Sequence, residues 1–504
     1  MENRKRIIRN TIFLYIKTLI STLVVFFSTR IVLGALGASD YGVYGIVGGV
    51  IAMLGYINIA MSHATQRYMN FAEGTKDKNR MLSIFNNAVI LHLMMGVAIV
   101  AILELIYYWM FNGVLNIPVE RVYAAKLIYH FMAVSTFFTV ITVPYEALIN
   151  AHEDFLYYSI VGIVDSLLKL SAAYVIVWYA YDKLILYGIL MAVITVIMLI
   201  VMRIYCHRKY TECVLNFRRF GKLETMKELG AFAGWNFVGV FASVAGNFGS
   251  TILMNHFFGT IVIAAKNIGD QIGGQLSVVT TNLTKALNPS IMKSEGAGNH
   301  KQMVELCYTA CRFGFLLYAL FAIPFIFKTE YLLGLWLKEI PKWAVLFCQL
   351  QVLRTLSEQI FSPLRTMLMA QGTIKQLNMA NLALGIFTFV VLLLLYCIGL
   401  PSYWHYIISI LFMVVIESVV KIYLCKKHCS IRYVDVLSAI LIRISNVIIV
   451  SCIVCYVLDV FLCNNLNGLL CTFVLVMGAG VVTFLLGLKK NERKYIINIL
   501  IRKK

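Results

Sequence analysis

Charged residues are scarce in this sequence. They make up 13% of its 504 residues, whereas 60% of the residues are hydrophobic, and soluble globular proteins typically carry about 25% charged residues. A soluble fold of this composition could not cover its surface with polar side chains. Proline is scarce too, with seven residues, which excludes a proline-rich disordered chain. The composition therefore indicates a membrane protein with room for a dozen or more helical spans of about 20 residues each.

Fourteen apolar segments are long enough to cross a hydrocarbon layer of about 30 Å. They predict an all-α polytopic membrane protein with about 14 transmembrane helices. We place the spans near residues 11–36, 41–66, 81–110, 121–143, 155–180, 184–206, 229–258, 261–288, 303–327, 342–369, 376–399, 402–424, 433–460 and 466–488.

Acidic residues are fewer than basic ones, 24 against 44, and the net charge is +20. One set of alternate connections, with both termini, holds 30 of the Lys and Arg residues, the other set holds 5, and 9 lie within spans. Cytoplasmic loops of membrane proteins carry an excess of Lys and Arg. We therefore predict that both termini face the cytoplasm, and the basic excess does not require nucleic acid as a partner.

The sequence contains an internal repeat. When the chain is aligned with itself without gaps, one register places Gly37 on Gly259, and a slightly shorter offset further along places Pro144 on Pro363. Each repeat holds six spans, so the two lobes have the same orientation and should surround a central cavity, with two extra helices at the C-terminus. The predicted organisation is an N-lobe at 1–206, a basic linker at 207–228, a C-lobe at 229–425, spans 13 and 14 at 426–488, and a basic tail at 489–504 along the inner leaflet.

No catalytic motif or large extramembrane segment is present, so an enzyme is not expected. The longest connection is the basic linker of about 20 residues, which is too short for a catalytic domain. The cluster Cys425, His428 and Cys429 lacks the second pair of ligands that a structural metal site requires. We expect neither a metal nor a cofactor.

Ionisable side chains inside spans mark function or internal pairing, because they are costly to insert. Five basic residues and one acid remain after the oppositely charged couples on one helix face are set aside. We expect Lys126, Arg312 and Arg443 to reach a membrane interface. Lys17 and Arg30 lie deeper in the first span, where they either face a water-filled cavity or have a structural role only. The couples are spaced i,i+4 and can neutralise themselves: Asp165–Lys169, Lys266–Asp270, Arg354–Glu358 and Glu417–Lys421.

The eighth span carries polar residues on one helix face. The stripe consists of Lys266, Asp270, Gly273, Ser277, Thr281, Thr284 and Asn288, and Asn267, Gln271 and Gln275 widen it. Such a face lines either water or a hydrogen-bonded seam between helices. Surplus positive charge in a cavity would attract an anionic group such as a phosphate. The candidate substrate-binding residues are Lys17, Arg30, Lys266, Asp270, Gln271, Ser277 and Thr281.

Two segments resemble those of a known family. Arg30-Ile-Val-Leu-Gly-Ala-Leu-Gly-Ala-Ser-Asp-Tyr-Gly-Val-Tyr-Gly45 and Pro144-Tyr-Glu-Ala-Leu-Ile-Asn-Ala-His-Glu-Asp-Phe155 resemble polysaccharide transporters of the MOP superfamily, the Wzx-type O-antigen flippases. The resemblance covers about residues 5–425. It implies that the protein flips an undecaprenyl-pyrophosphate-linked oligosaccharide from the inner to the outer leaflet of a bacterial cytoplasmic membrane, by alternating access, for lipopolysaccharide and surface polysaccharide biosynthesis. The same resemblance implies that Lys17, Arg30 and Lys266 hold the pyrophosphate, and that glycan polymerase and glycosyltransferases are partners.

A second transporter function stays open. A MATE-type cation-coupled multidrug antiporter would belong to the same superfamily. That function usually requires acids that attract cationic drugs, whereas the unpaired charges within these spans are mostly basic. The sequence therefore favours the flippase over the antiporter.

Overall fold

A computed structural model describes residues 2–111, 117–337, 340–462, 467–490 and 492–493. Within these ranges the regular structure is entirely helical, as predicted. A helix pairs its own backbone N–H and C=O groups, which a segment in lipid requires. The helices are α1 (Glu2–Thr75), α2 (Lys78–Trp109), α3 (Val122–Ala151), α4 (Phe155–Trp178), α5 (Lys183–Lys209), α6 (Phe217–Phe220), α7 (Leu223–Gly296), α8 (His300–Phe327), α9 (Thr329–Trp336), α10 (Ala344–Gln359), α11 (Leu364–Gln371), α12 (Ile374–Cys397), α13 (Trp404–Ser409), α14 (Glu417–Cys429), α15 (Tyr433–Val436), α16 (Ile442–Phe461) and α17 (Gly468–Val482).

Eleven helical segments of the described chain are long and apolar enough to cross a membrane. Large hydrophobic side chains on these segments, such as Leu19, Leu105 and Ile252, are exposed. In a soluble protein this surface would be a liability, but lipid is a favourable solvent for it. The protein is a multi-pass membrane protein, as the composition predicts.

The other three predicted spans are not among these segments. Residues 41–66 and 261–288 form the second halves of α1 and α7, and residues 261–288 carry the polar stripe. The span predicted at 342–369 is broken between α10 and α11. Pro363 lies at this break. In an unbroken helix its ring would clash with the carbonyl group of residue 359, which disfavours the continuation of α10.

Helices α1 and α7 share one shape. Each is 74 residues long and contains one glycine with non-helical backbone angles, Gly37 in α1 and Gly259 in α7, each with φ of 77°. Two helices therefore meet at a kink in each repeat, and in α1 this kink lies in the gap between the first two predicted spans. The self-alignment of the sequence pairs these same two glycines, which confirms the predicted register of the repeat at this position.

The same backbone features recur further along the repeat. Two pairs of residues that the repeat registers align have positive φ: Lys76 (56°) with Gly298 (72°), and Glu153 (54°) with Gly372 (80°). Asp77 and Asn299 follow the first pair and cap α2 and α8 through their side chains. The repeat is thus present in the backbone as well as in the sequence.

The chain forms two compact units. The first comprises Met1–Val240 with Gly296–Gly298, and the second comprises Phe241–Glu295 with Asn299–Lys504, so α7 contributes to both. Helices α16 and α17, the predicted spans 13 and 14, lie in the second unit, where they pack against each other and against α8. The boundaries predicted from the sequence, including the linker at 207–228, stay predictions. Most of the predicted tail lies outside the described residues.

Aromatic packing fixes the second half of α7 in the second unit. Phe347 of α10 and Tyr406 of α13 are fully buried, and their ring centroids are 5.2 Å apart. They form one hydrophobic core with Val262 and Ala265 of α7. This core holds the start of the polar stripe against α10 and α13.

Candidate transport site

An ion pair lies at the start of the polar stripe in the second unit. Lys266 Nζ is 2.6 Å from Asp270 Oδ2, because the two residues are one helical turn apart on α7. Lys266 is 3% exposed, whereas the Asp270 side chain is 39% exposed. The pair therefore combines a buried cation with a carboxylate that remains accessible. A buried charge of this kind is costly in a membrane helix unless it is paired.

Two glycines allow α10 to approach the ion pair closely. A Cβ atom at Gly269 would lie 3.2 Å from the carbonyl oxygen of Phe347, and one at Gly273 would lie 2.9 Å from Cγ of Gln351. The face of α7 that carries Lys266, Gly269 and Gly273 is thus covered by α10. The predicted stripe does not form one water-lined face, because its first part packs inside the unit.

The exposed polar face of α7 is rotated from the predicted stripe. Asn267, Gln271, Gln275 and Thr281 are exposed, and their spacing places them on one side of the helix. The side-chain amides of Asn267, Gln271 and Gln275 on a membrane helix require water or a polar ligand. This face, with Asp270 at its edge, is the surface best suited to contact a polar substrate.

Two of the predicted site residues satisfy their hydroxyl groups within α7 itself. Ser277 Oγ donates a hydrogen bond to the carbonyl oxygen of Gly273 at 2.7 Å, and Thr281 Oγ1 donates to that of Ser277 at 2.9 Å. Ser277 is half-buried. Each hydroxyl oxygen can still accept a hydrogen bond from a ligand.

Four buried polar groups on α10 and α13, which pack near this part of α7, have no hydrogen-bond partner among the described residues. They are Gln351 Oε1, Arg354 Nε, His405 Nδ1 and Tyr406 Oη. The Tyr406 hydroxyl lies beside Gly269, at 3.4 Å from the position of a Cβ atom there. Buried polar groups are rarely left unpaired in native proteins. The cluster is therefore equipped to bind water, a proton or a polar ligand.

The sequence could not assign these four residues to the site. His405 and Tyr406 are far from Lys266 along the chain, and only the packing of α13 against α7 and α10 brings them close. Arg354 was predicted to pair with Glu358, and this prediction is wrong, since the ion pairs of the described residues do not include this couple. In the sequence, the weak signal for this part of the site is a histidine and a tyrosine at the start of an apolar span.

Two further i,i+4 couples and the lone cation Arg312 can be compared with their predictions. Lys169 and Lys421 form the predicted ion pairs, at 2.7 Å from Asp165 and 3.0 Å from Glu417. Arg312, which was expected to reach an interface, is buried and paired with Glu492.

Lys17 and Arg30 lie in the first unit and have different surroundings. Lys17 is half-buried, and its Nζ lies 4.3 Å from the centroid of the Tyr158 ring. Its aliphatic chain crosses Gly162 of α4, where any Cβ atom would overlap it. Lys17 thus packs inside the unit by a cation–π contact. Arg30 is exposed, and no ion pair involves it in the described part of the chain. Their roles in substrate binding stay predictions.

One group of side chains has the composition of a metal site. His152 Nδ1 lies 3.4 Å from Glu73 Oε1, and His152 Nε2 lies 3.7 Å from Glu212 Oε2. The ring of His152 stacks on Tyr210 at 4.3 Å between centroids. In the cluster of Cys425, His428 and Cys429, His428 Nε2 lies 3.0 Å from Gln376 Oε1. This contact occupies one of the two ring nitrogens of His428.

The turn that follows α3 carries the clearest electrostatic anchor outside the spans. Asp154 Oδ2 accepts hydrogen bonds from Lys209 Nζ at 2.6 Å and from the hydroxyl groups of Tyr205 and Tyr210. Burial acts to raise the pKa of Asp154, but the bonds from Lys209 and Tyr205 outweigh it, and the pKa lies below its usual value. Asp154 is therefore ionised and holds the ends of α4 and α5 together.

Comparison with known proteins identifies the fold. Residues 237–395 match the MatE family model. The outward-facing conformation of a multidrug resistance MATE family transporter of the MOP superfamily superposes with a TM-score of 0.74 at 13% identity, covering 85% of this chain and 96% of that one. MATE in the bent conformation gives 0.75 at 14% identity with the same coverages.

A further solved structure is a MOP superfamily transporter from Pyrococcus furiosus. It has a TM-score of 0.73 at 13% identity, with coverages of 85% and 96%, and is described as having a binding pocket of reverse polarity that suggests a different function. A search of curated protein sequences found no match. These matches show that the chain has the fold of MATE-type transporters, with the MatE family model confined to residues 237–395, and they do not support the more specific resemblance to Wzx-type flippases.

Proposed function

We propose that this protein is a cation-coupled membrane transporter of the MATE type, which exports small organic molecules by alternating access. The observation that carries the proposal is the Lys266–Asp270 pair, a buried cation with an accessible carboxylate within a membrane helix. Ionisable groups in such positions are retained mainly for function. The MATE fold and the MatE match over residues 237–395, which include this pair, support the transporter class.

Asp270 is the proposed coupling residue. Its carboxylate is accessible enough to take up a proton or a monovalent cation. Neutralising this carboxylate would leave Lys266 buried without a counter-charge, which is unfavourable in an apolar environment. The second unit would then rearrange, and the unpartnered groups of Gln351, His405 and Tyr406 offer new partners for Lys266. Cation binding is coupled to conformation in this way.

The substrate would contact the exposed polar face of α7. Asn267, Gln271, Gln275 and Thr281 offer neutral donors and acceptors, which suit chemically varied molecules better than fixed charges do. The distribution of Lys and Arg supports both termini on the cytoplasmic side, and the bacterial cytoplasmic membrane is the location we propose.

The flippase for a polyprenyl-pyrophosphate-linked oligosaccharide remains the second candidate. The observation in its favour is the surplus of cations: no described carboxylate pairs with Lys17, Arg30 or Arg354, and these residues would attract pyrophosphate rather than a cationic drug. The Pyrococcus furiosus transporter, described as having a pocket of reverse polarity, supports the idea that this fold accommodates more than one substrate charge. Glycan polymerase and glycosyltransferases would be partners only in this case.

Transport by purified protein in proteoliposomes separates the two candidates. We expect a proton or sodium gradient to drive export of a cationic dye, and Asp270→Asn to lower the rate by at least about tenfold, or about 1.4 kcal/mol in activation free energy. Asp165→Asn is the matched control, since it removes a carboxylate from an i,i+4 couple of the first unit.

The contrary result is equally clear. If dye transport is absent with either gradient while the protein translocates a polyprenyl-pyrophosphate-linked oligosaccharide, the antiporter proposal fails and the flippase replaces it. In that case Arg30→Ala and Lys266→Ala should each abolish translocation although the variants still insert.

A further inference from the structure

The second unit contains a basic cavity where α16 begins and α17 has ended. The cavity has a volume of about 340 Å³ and is lined by Arg443, Leu488, Lys489, Lys490 and Arg493. Four of these five residues are cationic. Lys489 and Lys490 are exposed, whereas Arg443 and Arg493 are half-buried. The lining therefore concentrates positive charge in a small volume.

The nearest acid is already engaged elsewhere. Glu492 Oε1 pairs with Arg312, which is 2% exposed, and Glu492 Oε2 accepts a hydrogen bond from the backbone N–H of Lys489 at 2.8 Å. No described carboxylate forms an ion pair with Arg443, Lys490 or Arg493. One carboxylate thus faces five cations, which leaves a large local excess of positive charge.

Two guanidinium nitrogens around the cavity have no hydrogen-bond partner among the described residues. They are Arg312 Nε and Arg493 Nε, both shielded from solvent. Arg312 also lies within electrostatic range of Arg443. Several cations held close together in a partly buried site destabilise the fold unless an anion neutralises them. The cavity has the properties of a site for an anion that the chain itself does not supply.

The surroundings of the cavity indicate which anion fits. Guanidinium and ammonium groups bind phosphate oxygens through charge-assisted hydrogen bonds. Next to the basic lining, Ile442, Leu485 and Leu486 expose apolar side chains, which suit acyl chains. The cavity also lies on the side of the membrane that is predicted to be cytoplasmic, where anionic lipids attract basic residues.

We propose that this cavity binds the phosphate headgroup of an anionic phospholipid of the inner leaflet. Its acyl chains lie along Ile442, Leu485 and Leu486, and its phosphate neutralises Arg443, Lys490 and Arg493. Because Arg443 lies at the start of α16 and Lys490 and Arg493 follow α17, the lipid joins the start of one extra helix to the segment after the other. The site is independent of the transport chemistry at Asp270.

Thermal unfolding and native mass spectrometry of the purified full-length protein test the proposal. We expect phosphatidylglycerol to raise the unfolding temperature and to remain bound in the gas phase, whereas phosphatidylcholine does neither. The double variant Arg443→Gln/Arg493→Gln should bind phosphatidylglycerol about tenfold more weakly or worse. Lys427→Gln/Arg432→Gln removes the same charge from the same predicted side, away from the cavity, and should behave as the unaltered protein.

Several results would overturn the proposal. Equal stabilisation by phosphatidylcholine would show that headgroup charge is irrelevant, and equal stabilisation by inorganic phosphate alone would assign the site to a free anion. Unchanged phosphatidylglycerol binding by the double variant would place the lipid elsewhere. If that variant does not fold, binding to the unaltered protein decides: no preference for phosphatidylglycerol over phosphatidylcholine in the mass spectra contradicts the site.

Discussion

The two halves of the repeat share a backbone path but not a chemistry. In the register that aligns the two kink glycines, the first half has Tyr44 and Gly48 where the second half has Lys266 and Asp270. Tyr44 packs against the ring of Tyr187, with centroids 5.0 Å apart, in place of an ion pair. The difference shows that a duplicated fold can keep its kinked helices in both halves and place an i,i+4 ion pair at this position of the kinked helix in only one of them.

Each half also stabilises its deep cation differently. Lys17 of the first unit lies over the Tyr158 ring, whereas Lys266 of the second unit is paired with a carboxylate. A cation–π contact leaves the lysine charged, and a tyrosine phenol is already neutral near pH 7, whereas an ion pair can be broken by protonating the carboxylate. Only the second arrangement can respond to a proton or a cation.

The largest expected effect comes from removing one member of the pair. Asp270→Asn should destabilise the protein by about 2 kcal/mol, because Lys266 is left buried without its counter-charge. Lys266→Ala should cost less stability, because Asp270 is partly exposed and can be solvated. Thermal unfolding of the purified variants at one scan rate measures this asymmetry. The double variant Lys266→Met/Asp270→Asn should recover stability but not transport.

Tyr44→Phe is the control for this difference in the first half, and it should leave transport and stability almost unchanged. If Tyr44→Phe impairs transport as much as Asp270→Asn does, the assignment of coupling to the second half is wrong.

The shared kinks predict a smaller and equal effect in both halves. Gly37 and Gly259 have φ of 77° with ψ near 180°, a conformation that is essentially restricted to glycine. No atom lies within 4 Å of an added Cβ at either position, so backbone strain is the main cost. We expect Gly37→Ala and Gly259→Ala each to cost about 1–3 kcal/mol, measured by thermal unfolding. A variant that is tolerated in one half only would contradict the equivalence of the kinks.

The smallest effect is expected at a position where the two halves have the same backbone conformation but different residue types. Lys76 has positive φ, and its repeat partner Gly298 is the residue type that suits this conformation. Lys76→Gly should therefore stabilise the protein by about 1 kcal/mol through the relief of backbone strain. Lys76→Ala is the control, because alanine retains this strain. Gly298→Ala should destabilise the protein by a similar amount. The experiment is a comparison of unfolding temperatures, and a loss of stability in Lys76→Gly would refute the strain argument.

Much of the fold could be predicted from hydropathy and the repeat, but the details of the site could not. The membrane-spanning segments from Lys78–Trp109 to Gly468–Gly487 correspond to apolar runs that a sliding average of hydropathy detects. The break near Pro363 has a sequence signal in the proline itself. The sequence of α7 carries no signal for the burial of Lys266, because that burial depends on the approach of α10 to Gly269 and Gly273.

The sequence by itself determined that this chain lies in a membrane, that its spans are helices, and that it consists of two related halves, because lipid admits only segments that satisfy their own backbone and because a repeat preserves its glycines. Only the tertiary structure decided that Lys266 is buried, that Arg354 lacks its expected partner among the described residues, and that His405 and Tyr406 join the site. These features depend on contacts between helices distant in the chain, and side-chain patterns within one helix do not specify which neighbour covers each face.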